Sequence, residues 1–206
     1  MSTANDNGEL SQRERILKVA ARLFAERGYH AVGIAELGEA VQLGRGALYH
    51  HIKSKEDLLY DISKEYIADL ADFAERVVRA EVDPRQRIRM LGKQLVQKIA
   101  SHQAELTVCF REIQSLTEPR HSEVLSLHSK YEKVWRDAMV DGAELSFFRP
   151  YDPIVLKAVL GMYFYSYLWI RPKGRLAPPV IADRLNELAL RMLDIHELVD
   201  VPFSAP

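Results

Sequence analysis

Between Gly44 and Lys55 the chain carries Arg45, Tyr49, His50, His51, Lys53 and Lys55, broken by the small residues Gly46 and Ala47 and by the apolar Leu48 and Ile52. Wound as a helix at about 100 degrees per residue, this run points Leu48 and Ile52 together into a protein body. Gly46 and His50 then point away, flanked by Ala47 and Tyr49. That division suits a short helix seated in a DNA major groove. Gly46 and Ala47 allow close approach to base edges or a thymine methyl, and Tyr49 can donate to a phosphate. Arg45, at the helix start, reaches a guanine edge or a phosphate and is the best candidate to read a base. Lys55, in the first turn of the next helix, adds an ammonium to free backbone N–H groups and a positive dipole end, which makes a phosphate site. Lys53 and His51 can add to it.

Other reactive residue types point to little chemistry. His102, His121 and His128 lack a paired carboxylate or cysteine at ligand spacing, so no metal site is expected. The single cysteine, Cys109, cannot close an intrachain disulfide and reads as a small buried hydrophobe in an apolar helix. No nucleophile elbow, glycine-rich phosphate loop or HExxH arrangement is present; neither an enzyme nor a cofactor is expected.

The elements that position these residues read as helices throughout. Ser11 with Glu14 forms a capping box before Ile16, Leu17, Ala20, Leu23 and Phe24, which share one face, and Gly28 supplies the stop. Ile34, Leu37 and Val41 mark a second short helix, broken near Gln42 to Gly44, and Leu48 and Ile52 mark a third. Ser54 with Asp57 opens a long helix to about Ala80 with Leu58, Leu59, Ile62, Tyr66, Leu70 and Phe73 on its apolar stripe. Asp83-Pro84 and Asp152-Pro153 set a capping side chain before a proline, and Pro119 and Pro178 stand near further helix starts. The layout is all-α with about nine helices: three in 11–52, one bridging helix, and five beyond it. Ile154 to Ile170 is nearly all apolar, but Lys157 and its tyrosines favour a buried core or subunit interface over a membrane span.

The 206 residues carry 28 Lys and Arg against 29 Asp and Glu, so any nucleic-acid site must be local. The first 60 residues alone hold eight bases and eight acids. A hydrophobic content of 48% permits a sizeable core, and the polar start of the chain together with one cysteine fits a cytoplasmic setting.

The run Phe24, Gly28-Tyr29, Leu37 to Ile52 and Ser54-Lys55-Glu56-Asp57-Leu58 resembles the DNA-binding domain of TetR-family regulators, over roughly Gln12 to Leu59. Gly33 departs from a usual capping Thr or Ser, Gln42 from a turning Gly, Gly44 from a phosphate-contacting Ser, and Ile52 from a usual Phe. The resemblance implies a helix-turn-helix domain over 11–57, a larger ligand-binding and dimerisation domain over 58–195, and tails at 1–10 and 196–206. It also implies a homodimer through helices at about 153–169 and 178–193, gripping a palindromic double-stranded operator as a repressor. A ligand pocket in such a fold lies between bridging and core helices, where Tyr66, Phe73, Phe110, Trp135, Tyr163, Phe164 and Tyr167 are available. The loop Trp169-Ile170-Arg171-Pro172-Lys173-Gly174-Arg175 resembles one in family members that control lipid and steroid catabolism. In several of these the effector is an acyl-coenzyme A, whose phosphates Arg171 and its neighbours would hold while Trp169 stacks on adenine. The alternatives are a helical small-molecule-binding or protein-interaction module without DNA binding and a helical enzyme of unfamiliar type.

Overall fold

The structure, a computed structural model, describes residues 10–171 and 174–194. The tails expected at 1–10 and 196–206, Leu10 apart, lie outside the described residues, as do Pro172 and Lys173. Nine α-helices are described: α1 (Gln12–Arg27), α2 (Ile34–Ala40), α3 (Arg45–Tyr49), α4 (Lys55–Ala80), α5 (Pro84–Ser101), α6 (Gln103–Glu112), α7 (Arg120–Glu144), α8 (Pro153–Phe164) and α9 (Pro178–Leu193). Two short 3-10 turns, Ile113–Ser115 and Tyr165–Leu168, follow α6 and α8, and no strand occurs among the described residues. The chain divides into two compact units, 1–69 with 102–127, and 70–101 with 128–206. Both α4 and α7 contribute residues to each.

In the first unit, α1 starts where its capping box predicts. The Glu14 N–H donates to Ser11 Oγ at 3.2 Å and the Ser11 N–H to Glu14 Oε2 at 2.7 Å. Its buried face is Ile16, Leu17, Ala20, Ala21 and Phe24, packed against α6. Ile16, Leu17 and Phe24 each contribute about 1.5–3 kcal/mol by leaving water. Gly28 ends the helix in the left-handed region, at φ 88°, with its N–H on Phe24 O at 2.9 Å. The α2–α3 turn is unusually tight. Gln42 sits at φ 58°, the Leu43 N–H donates to Gly38 O at 2.8 Å, and a Cβ on Gly38 would lie 2.9 Å from Leu43 O. Glycine at 38 is therefore a packing requirement of the turn.

In the second unit, α5 packs along α9 and against α8. Ile88, Leu91, Leu95, Val96 and Ile99 of α5 are buried, as are Ile181, Leu185, Ala189 and Leu193 of α9. The α5 and α8 starts follow the Asp-Pro reading: Asp83 Oδ1 accepts from Arg85 N–H at 2.8 Å and Asp152 Oδ1 from Ile154 N–H at 2.7 Å. The sequence expects one helix to about Trp169, whereas α8 ends at Phe164 and tightens into the 3-10 turn. Tyr163, near the end of α8, and Ser166, three residues on within the 3-10 turn, are both buried. No described helix is long and apolar enough to cross a membrane.

Candidate nucleic-acid interface and buried aromatic seam

The third helix is shorter than the sequence spacing expects, ending at Tyr49 before Ile52, yet its residues and those just past it separate their faces as that spacing requires. Leu48 is 0% exposed and Ile52 2%, whereas Arg45, Gly46, Ala47, Tyr49, His50 and Lys53 are all exposed and His51 is half-buried. Gly46 has open space around the position of a Cβ, so the helix presents bare backbone there. The Arg45 guanidinium lies 5.8 Å from the Tyr49 ring centre, a cation–π contact that holds both side chains on the exposed face. No acid neutralises Arg45 among the described residues. An open groove of about 300 Å3 runs where α2 meets the start of α3, with Gly38, Gln42, Gly44 and Arg45 on its walls. Neither Gly33 nor Gly44 supplies a side-chain cap.

Lys55 is placed differently from its neighbours. Its ammonium donates to Tyr29 O at 2.9 Å and Val32 O at 3.0 Å, and lies 4.4 Å from the Tyr29 ring centre. It clasps the α1–α2 turn to the start of α4. Other polar contacts brace the same three-helix unit. Arg13 donates to His51 O at 2.7 Å and pairs with Asp61, while Glu112 Oε1 accepts from the Tyr29 N–H at 3.2 Å. Glu56 Oε1 accepts from both the N–H and the hydroxyl of Thr117, at 2.9 and 2.8 Å, which holds its carboxyl below the usual carboxylate value. Arg120 pairs with Asp57. Sequence reasoning missed these braces, because their partners are distant in the chain.

The expected ligand residues fall in both units. In the first, Tyr66 is buried and Phe110 is 48% exposed. In the second, Trp135 and Tyr163 are fully buried, Phe73 and Tyr167 are half-buried, and Trp169, Arg171 and Arg175 are exposed. Trp135 and Tyr163 meet with ring centres 5.3 Å apart and join Tyr131 and Phe164, so that α7 and α8 share an aromatic seam. Tyr131 is a seam residue the sequence reading passed over; its spacing from Trp135, with His128 one turn earlier, was the available signal. Tyr163 donates to Asn186 Oδ1 at 2.6 Å, and Asn186 Nδ2 donates to Arg89 O at 3.0 Å. A Cβ on Gly92 would collide with both the Tyr163 hydroxyl and Asn186, so glycine at 92 makes room for that pair. Burial pushes the Tyr131 and Tyr163 phenols well above their ordinary value, opposed at Tyr131 by the neighbouring indole, and pushes His128 down. Cys109 is buried near Ser63 O, and burial pushes its thiol up to about 12. No group of three or more His, Cys, Asp or Glu that could hold a metal ion occurs among the described residues.

Residues 16–62 match the family model described as bacterial regulatory proteins, tetR family, and residues 81–193 match the tetracyclin repressor-like C-terminal domain. The HTH-type transcriptional repressor KstR2 of Mycobacterium tuberculosis (strain ATCC 25618 / H37Rv) is 27% identical over 183 residues, covering 87% of this chain and 92% of that protein. Its solved structure, a ketosteroid transcriptional regulator, superposes with a TM-score of 0.84 over 91% of this chain and 97% of its own. The regulator PfmR from Thermus thermophilus is 30% identical with a TM-score of 0.80, covering 86% of this chain and 97% of that one. AibR, solved in complex with isovaleryl coenzyme A and operator DNA, is 25% identical with a TM-score of 0.76, covering 89% and 98%. With both parts of the chain matched and the exposed α3 face in place, the protein belongs to the TetR family of DNA-binding transcription regulators.

Proposed function

We propose that this chain is a ligand-responsive repressor that grips a palindromic operator as a homodimer and releases it on binding a hydrophobic or acyl-coenzyme A-like effector. The observation that carries the reading is the α3 face, where Arg45, Gly46, Ala47, Tyr49 and His50 stand exposed over a buried Leu48. Arg45 reads a base edge, Gly46 and Ala47 permit close approach, and Tyr49, His50 and Lys53 meet phosphates. Lys55 serves the same interface by holding the α1–α2 turn, since two of its donors are taken by Tyr29 O and Val32 O.

Dimerisation is supported by what α8 and α9 leave uncovered. Ile154, Tyr165 and Leu168 follow one side of α8 and its 3-10 extension, Trp169 is exposed just beyond it, and Val180 and Leu188 are exposed on α9. Apolar surface of this kind marks an association site, and two-fold symmetry matches two half-sites one helical turn or a multiple apart. Effector binding is supported by the aromatic seam in the second unit and by the relatives, one a ketosteroid regulator and another solved with isovaleryl coenzyme A. Exposed Arg171 and Arg175, with Trp169 nearby in sequence, are available to coenzyme A phosphates and adenine.

The test is selection of duplexes from a random library by the purified chain, followed by anisotropy titration. Enrichment of one palindromic motif bound by an even number of chains is expected. Failure to enrich any sequence would sink the repressor reading and leave a helical module without DNA binding.

A further inference from the structure

We propose that the seam between α7 and α8 is a hydrogen-bonding site for a neutral carbonyl at the head of an apolar ligand, and that it discriminates against the matching free carboxylate. The proposal rests on the reading that the second unit binds an effector, and it specifies that effector's chemistry. Its basis is a set of polar atoms that are buried yet close no well-formed hydrogen bond among the described residues, the Trp135 indole reaching toward the Tyr131 hydroxyl without completing one. Trp135 Nε1, Tyr131 OH and His128 Nε2 belong to α7, Ser166 Oγ to the 3-10 turn after α8, and Gln94 Oε1 to α5.

Their placement is not scattered. His128, Tyr131 and Trp135 stand at i, i+3 and i+7 and so share one face of α7. Tyr131 faces Phe164 with ring centres 6.2 Å apart, and Trp135 faces Tyr163 at 5.3 Å. Ser166 lies one 3-10 turn beyond Tyr163. Buried indole N–H and phenol groups ordinarily have partners, and each orphan costs the full desolvation of that group. The adjacent Tyr163 shows what a satisfied residue looks like, since its hydroxyl is closed onto Asn186, which is closed onto the α5 backbone. Three of the orphans, the indole N–H and two hydroxyls, offer hydrogens to one acceptor type, and a carbonyl oxygen has two lone pairs, enough to receive two of the three.

Charge decides between a carbonyl and a carboxylate. Among the described residues Ser63, Ser166 and Asn186 are buried and uncharged, and at His128, the one titratable imidazole of the set, burial disfavours the charged form. The charged groups of the surrounding helices are paired or at the surface, and the most enclosed of them, Arg87 of α5, is taken by Asp141 of α7 and by Glu81 O. Lys133 pairs with Asp137 on α7, Lys157 of α8 pairs with Glu132, and Arg89 and Lys93 of α5 line an open groove with Asp183 of α9. A carboxylate brought into the seam would be desolvated without a counter-charge, whereas a ketone, ester or thioester would satisfy the donors and remain neutral.

The experiment uses the full chain carrying nitrogen-15 in its tryptophans. Only two indole N–H signals exist, and Trp135→Phe assigns them. The probes are S-ethyl octanethioate, 2-decanone, sodium octanoate and octane at pH 8. The thioester and ketone should move the Trp135 indole proton downfield as a hydrogen bond forms, and should bind at least about tenfold more tightly than octanoate or octane by calorimetry. Tyr131→Phe and Ser166→Ala should erode the preference for thioester over octane. Octanoate binding as tightly as the thioester, carbonyl probes binding no better than octane, or no probe binding to a chain with native circular dichroism would each overturn the proposal. A parallel titration with the selected duplex separates the two readings: carbonyl probes that bind the seam without releasing DNA refute ligand-responsive repression and leave the head-group assignment standing.

Discussion

Arg45 and Lys55 belong to one basic segment, yet the fold gives their charges different work. Arg45 is exposed, stacked on Tyr49 and unopposed by an acid among the described residues, so Arg45→Ala should cost about 1–3 kcal/mol of operator affinity and relax discrimination against random DNA. Unchanged affinity for both duplexes would remove it from the interface. Lys55→Met should instead lower the melting temperature and weaken operator and random DNA alike, without flattening the salt dependence. A loss of about one unit of slope would show that its ammonium meets a phosphate after all. The two residues also mark what was legible. Exposure along α3 follows from spacing alone, because Leu48 and Ile52 recur one turn apart. The Lys55 clasp depends on where the carbonyls of Tyr29 and Val32 arrive in space, and no local pattern encodes that.

Elements show the same division between local and distant causes. Caps, glycine stops and Asp-Pro pairs place the starts of α1, α5 and α8, and apolar periodicity carries α4 to Ala80 and α9 to Leu193. The end of α8 was not legible, because no glycine or proline marks the change to 3-10 winding after Phe164. The packing of α6 on α1 was equally silent in the sequence. At this scale α8 carries a test of assembly. Gly161 is exposed, a Cβ added to it would meet no atom within 4 Å, and Tyr165 is exposed one turn on. Gly161→Arg or Tyr165→Glu should therefore leave the fold intact and yield monomers in sedimentation, and a dimer surviving both would move the interface elsewhere. A second test concerns α4 and the Thr117 segment. The Glu56 carboxyl is held below its ordinary value, so its contribution is present above that value and is lost as pH falls through the depressed one. The stability gap between the native chain and Glu56→Gln should be constant near neutrality and close as melts are taken below about pH 4.5.

For the whole molecule, the proposed release of DNA needs a route from the second unit to the first. α4 is one uninterrupted helix from Lys55 to Ala80 with residues in each unit, and we propose it as the lever. For a hundredfold loss of operator affinity, the effector must favour the non-binding geometry by about 2.7 kcal/mol. If that effector is an acyl-coenzyme A, neutralising Arg171, Lys173 and Arg175 together should blunt release while leaving ligand-free operator affinity nearly intact. Release by free acids alone, in a panel of thioesters, acids and neutral hydrophobes, would rule the coenzyme A out. Cys109 makes the motion itself measurable. Its thiol is enclosed and pushed up to about 12, so at pH 7 it is both sheltered and un-ionised, and a thiol reagent should leave the folded chain untouched but titrate one group per chain on denaturation. The natural sequence is thus a silent background for labelling. A cysteine placed at exposed Glu39 on α2 would take a spin label alone, and the label-to-label separation within a dimer, read with and without effector, would report directly whether the two DNA-reading heads move apart.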